Sequence, residues 1–148
     1  MANGFKSNKT AVMRQFEKNK RACLEALGLE AVSAATTEIN ISTYNTPVSA
    51  SGYQRTGRLR SSLSYATQST QSGFVNGKSS GSRDSDTMSN GAGKDEVIIG
   101  SNVEYAAFVE LGTRNMSAQP YLRPAINNYQ KDYQEVVEAV LGEGFSTK

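Results

Sequence analysis

Asp95-Glu96-Val97-Ile98-Ile99-Gly100-Ser101, running into Asn102-Val103-Glu104-Tyr105-Ala106-Ala107-Phe108-Val109-Glu110-Leu111-Gly112, sets a strand directly before a short helix. Val97-Ile98-Ile99 is β-branched, which favours extended backbone, and Gly100 closes the run. Asn102 is a residue type that caps helices, so the spacing predicts a helix from Asn102 to Leu111. Tyr105, Ala106, Phe108, Val109 and Leu111 would pack that helix on the sheet, and Gly112 stops it.

Upstream, Asn8 to Ile41 reads as one long helix. Val12, Phe16, Cys23, Leu27, Ala31 and Ala34 recur near three-to-four-residue spacing, and no proline intervenes. Some thirty residues at 1.5 Å each would span roughly 45 Å. Gly28 is a place for a break or bend, and the small residues after it permit close approach of a neighbouring element. Ser42 to Arg55 carries Pro47 and Gly52 without periodicity and reads as a linker. Thr56 can cap a short turn in which Leu59 and Leu63 share a face. Leu63 to Val75 alternates as a strand. Asn76 to Lys94 is rich in Gly, Ser, Asn and Asp and reads as an exposed loop.

Downstream, Thr113 to Gln119 is a polar loop or turn. Tyr121 to Leu141 reads as one helix with Leu122, Ile126, Tyr129, Tyr133, Val136, Val137 and Val140 on its apolar face. Pro124 falls in its first turn, where the missing N–H is harmless. The fold class expected is α+β: a long N-terminal helix, a small antiparallel sheet, a short helix and a long C-terminal helix. The whole chain, 1–148, makes one domain, with its α+β core over 56–141.

Composition narrows the function. The 148 residues hold 16 Lys+Arg against 14 Asp+Glu, a formal charge of +2, too small an excess to make polyanion binding the main role. The single Cys23 excludes a disulfide framework and a multi-cysteine zinc site; it reads as a small core residue. The absence of His excludes His-dependent triads and His-ligated metals. No cofactor is expected. No apolar run approaches a membrane span, so the expectation is a soluble chain made in a reducing cytoplasm.

Several motifs begin and fail. Gly91-Ala92-Gly93-Lys94-Asp95 lacks the first glycine and the Ser or Thr of a phosphate loop. Asp84-Ser85-Asp86 opens like a calcium loop but puts Ser89 where glycine is required. Glu104 and Glu110 are six apart and fall on different helix faces, which suits one surface acid and one acid paired with arginine better than catalysis. Arg55, Arg58 and Arg60 cluster beside Tyr53. They fit either phosphate contacts or, better with so small a net charge, ion pairs at a protein interface.

Two stretches carry a resemblance. Tyr105-Ala106, then Glu110-Leu111-Gly112-Thr113, then Pro120-Tyr121-Leu122-Arg123-Pro124-Ala125 resembles the signature of small head–tail joining proteins of tailed phages, also called tail-completion or minor tail components. Thr56-Gly57-Arg58-Leu59-Arg60-Ser61-Ser62-Leu63 is similar to that family's Thr-Gly-x-Leu-x-x-Ser element. The polar insertion from Gln68 to Lys94 departs from the pattern. The resemblance implies a structural virion protein and not an enzyme, made in the host bacterial cytoplasm. It implies a sixfold ring at the phage neck, joining head connector to tail and leaving a lumen for DNA. The implied partners are copies of itself, the adjacent connector or head-closure protein, and the tail tube or terminator. Genomic DNA would pass without sequence specificity, and no membrane is involved. Tail terminator or head-closure protein is the alternative within the class. A small DNA-binding module using Arg55, Arg58 and Arg60 is the alternative outside it. Glu110 and Thr113 are expected to fix the loop by hydrogen bonds, and Arg123 to point out at a helix start. Interface positions expected are Arg58, Arg60, Glu110, Gly112, Thr113, Tyr121 and Arg123, with Arg55, Arg58 and Arg60 able to face DNA in the lumen.

Overall fold

A computed structural model describes residues 7–45, 55–68 and 92–143. In order come α1 (Lys9–Ile39), α2 (Arg58–Ser61), β1 (Leu63–Ala66), β2 (Ile98–Ser101), α3 (Ala106–Leu111), α4 (Leu122–Asn128) and α5 (Gln130–Glu143). The class is α+β, as expected.

The first helix runs unbroken through Gly28. A Cβ at Gly28 would lie 2.6 Å from Cγ of Tyr65. The glycine is therefore a seat for an aromatic ring from β1, not a bend. The small residues beyond it, Ala34 and Ala35, are buried against the body, which is the close approach their size permits. Near its end, Thr36 and Thr37 turn their hydroxyls back onto the carbonyls of Val32 and Ser33, at 2.8 and 3.1 Å. Such bonds loosen a helix, and the path widens into a π-helical turn over Asn40–Tyr44. The helical path thus enters the segment expected as linker, of which residues 46–54 lie outside those described.

β1 and β2 pair antiparallel, with Leu63 opposite Ser101 and Tyr65 opposite Ile99. Two strands alone are marginal in water; here α1 backs them. The expected alternation is absent in β1, where all four positions are buried. The rest of the expected strand, from residue 69, lies outside those described, as does most of the expected loop over 76–94. β2 begins later than expected. The acids before it are occupied: Asp95 pairs with Lys20 at 2.8 Å, and the Glu96 carboxylate accepts the Gly93 N–H at 2.9 Å.

Two further boundaries differ. Asn102 does not cap α3. The Ser101 hydroxyl takes the Val103 N–H at 3.1 Å, a turn closes from the Ala106 N–H to the Val103 carbonyl at 2.9 Å, and the helix starts at Ala106. The expected C-terminal helix is two helices that break at Tyr129. Asn127 and Asn128 are poor helix formers, and the Tyr133 hydroxyl donates to the Ala125 carbonyl at 2.7 Å, where the ladder stops. Both pieces pack along α1. The core lies where they meet, with Val32, Ile39, Leu59, Leu63, Tyr65 and Tyr121 at its centre.

Candidate assembly interface

The corner between α3 and α4 is built on one carboxylate. A helix leaves its first N–H groups without intrahelical partners, and α4 has no side-chain cap from its own Tyr121. Glu110 supplies it from α3. Its Oε2 accepts the N–H groups of Tyr121 and Leu122 at 2.7 and 2.9 Å, and its Oε1 that of Arg123 at 3.1 Å. The fourth position is Pro124, which has no N–H to satisfy. Every orphan donor of α4 is thereby accounted for, and the negative charge sits at the positive end of the helix. Of Glu104 and Glu110, read from the sequence as one surface acid and one arginine partner, Glu110 binds backbone amides.

The intervening loop is tight. Gly112 ends α3 at φ 78°, ψ 174°, backbone open to glycine almost alone. A Cβ there would lie 2.7 Å from the Ala118 nitrogen. Thr113 and Met116 exchange both backbone hydrogen bonds, at 2.8 and 3.3 Å, and the Gln119 N–H reaches the Val109 carbonyl at 2.8 Å. The Asn115 N–H donates to the Thr113 hydroxyl at 3.3 Å. Tyr121 plugs the corner from inside at 1% exposure. Burial, then the neighbouring Glu110 charge, pushes its phenol up to about 12.

This pinning leaves α3 with an apolar outer face. Ala106 is buried, but Phe108 is 57% and Leu111 67% exposed, with Tyr105 and Met116 at the margins. The helix does not turn all its large residues to the sheet, as the sequence reading expected. Beside this face lies a groove of about 430 Å³ among Tyr44, Arg55, Leu59, Tyr105, Phe108 and Met116. The spacing of Tyr105, Phe108 and Leu111 at i, i+3 and i+6 is the sequence signal for this face. It was masked because Ala106 and Val109 make a second apolar stripe.

The expected site residues divide. Tyr121 is in the core, and Glu110 is spent on α4. Arg58, Thr113 and Arg123 are exposed. Arg60 is exposed too, but it stacks over Tyr44 at 5.1 Å and donates to Asn40 Oδ1 at 3.0 Å. Arg55 lines the groove, as does Tyr44. Tyr53 lies outside the described residues, as does the Asp84–Asp86 motif. Cys23 is buried, as expected, and burial pushes its thiol up. Among the described residues no helix is long and apolar enough to cross a membrane.

Residues 3–112 match a family model described as "Bacteriophage HK97-gp10, putative tail-component". The match takes in α1, the Thr56–Leu63 element and the sheet, and ends at Gly112, before the Pro120–Ala125 segment. No curated protein and no solved structure is significantly similar to the chain. With well over half of its length matched, the chain belongs to the HK97-gp10-like family of bacteriophage tail components.

Proposed function

We propose that this tail component packs against copies of itself in a closed, sixfold ring at the head–tail junction, where it completes the tail and leaves a lumen for DNA. The observation that carries this reading is the outward apolar face of Phe108 and Leu111 on a corner held rigid by Glu110. Large side chains exposed together on a rigid frame mark a protein contact. A frame fixed before assembly also loses little freedom on binding. Arg123 stands exposed for an ion pair with a neighbour, and the head connector and tail tube or terminator are the axial partners.

The test is Phe108→Ser combined with Leu111→Ser. Both positions are more than half exposed, so folding stability should stay within about 0.5 kcal/mol of wild type per site. Ring formation, followed by sedimentation velocity and by electron microscopy of particles, should be lost, leaving heads and tails unjoined. Normal rings and joined particles from the double variant would overturn the assignment of this face.

A further inference from the structure

The chain carries two charged stripes of opposite sign that its own fold keeps apart. Arg14, Lys18 and Arg21 recur at i, i+4 and i+7 along α1, so they share one face. All three are exposed, in or next to the stretch 7–16, which is exposed at every position. That face lies opposite Cys23, which is buried. On α5, Asp132, Glu135 and Glu138 are exposed, while Tyr133, Val136 and Val140 on the other side are half-buried. The body of α5 packs on α1. Each stripe therefore points away from the contact that joins the two helices. Among the described residues Lys20 pairs with Glu17 and Asp95, and Lys94 with Glu17; these three pairs use none of the six side chains.

Resting on the ring reading above, we propose that Arg14, Lys18 and Arg21 of one copy pair with Asp132, Glu135 and Glu138 of the next. The spacings agree. Seven residues of α1 span about 10 Å and six of α5 about 9 Å. Lys131 on α5 offsets one acid, and Glu17 and Glu25 lie beside the three bases of α1; the α5 face stays net negative and the α1 face net positive. Two different surfaces in contact make a heterologous interface, the kind that closes into a ring when the rotation permits. The near balance of charge over the whole chain, +2, favours a second copy over a polyanion as occupant. The stripes steer the approach and fix the direction of packing, while apolar contacts elsewhere hold it.

The test uses the full chain and two triple variants. One carries Arg14→Glu, Lys18→Glu and Arg21→Glu; the other carries Asp132→Lys, Glu135→Lys and Glu138→Lys. Each alone should raise the self-dissociation constant at least about tenfold, since three attractions become repulsions. An equal mixture of the two should associate again, because each offers the stripe the other lacks. All six residues are exposed, so both variants should fold, with melting temperatures lowered only slightly by like charges along the helix. Association of either variant at wild-type strength, or no recovery on mixing, overturns the pairing. If wild-type rings form and tolerate both reversals, only this contact fails and the ring reading stands. If the wild-type chain neither self-associates nor forms a ring in particles, both fail. Loss of binding to a short DNA duplex with self-association intact would assign the α1 stripe to nucleic acid and overturn the proposal.

Discussion

The α3–α4 corner and the first turns of α1 use their residues in opposite ways. In the corner, conspicuous residues are consumed within the chain: Glu110 on three amides, Tyr121 in the core, Gly112 in a turn no other residue fits comfortably. In the arm, residues 7–16 are exposed throughout, and Val12 and Met13 stay at least half open. The corner is closed by hydrogen bonds within the chain. The arm is a helix whose first turns receive little packing from the described residues, although most helical stability in proteins comes from packing. An assembly module needs both: a frame fixed before binding, and a surface left to be covered afterwards.

Substitutions should separate the two regions sharply. Gly112→Ala is expected to do the most damage. It places a side chain in a backbone region it rarely adopts and drives its Cβ toward the Ala118 nitrogen, which is main chain and cannot swing aside. A loss of about 3–5 kcal/mol in denaturant unfolding is expected. A loss under about 1 kcal/mol would mean that the corner relaxes easily and is not the rigid element. Glu110→Ala comes next. It strands three amides at the start of α4, and charge-assisted bonds of this kind set an expected loss of about 2–4 kcal/mol. Glu110→Gln keeps one acceptor oxygen and should recover part of it. Wild-type stability in the Gln variant would deny the charge any role.

Much of this difference was legible in the sequence, and the remainder was tertiary. The long first helix followed from periodicity and the lack of proline. Close approach at Ala34 and Ala35 followed from their size, whereas Gly28, expected as a break or bend, is the seat of the Tyr65 ring, a partner that only the tertiary packing names. That Glu110 would bind the loop was readable from a charged residue beside a glycine turn. That it caps a helix beginning eleven residues later was not, because the cap joins two elements whose packing must already be known. The break at Tyr129 escaped because the apolar stripe continues through it, and only the Tyr133 hydroxyl on the Ala125 carbonyl shows where the ladder ends. The outer face of α3 escaped for the reverse reason: both of its stripes are apolar, and periodicity cannot choose between them.

The smallest effect should lie at the boundary where the arm joins the body. There Lys20 bridges Glu17 at 3.1 Å and Asp95 at 2.8 Å, and Lys94 reaches Glu17 at 3.6 Å. The Lys20 ammonium holds the carboxyls of Asp95 and Glu17 below their usual range. Carboxyls depressed in the folded state add stability above their unfolded values, near 4, and lose it as pH falls through the folded ones. Lys20 is raised by the same contacts, so its share is present below the ordinary lysine value and lost as pH rises through the folded one. Exposed pairs contribute little and are screened by salt. Asp95→Asn should therefore lower the melting temperature only slightly at neutral pH. It should flatten the fall in stability between neutral and strongly acid solution, and high salt should reduce the difference from wild type. A large loss in the variant, unaffected by salt, would show that this bridge, and not apolar packing further along α1, fixes the arm to the frame.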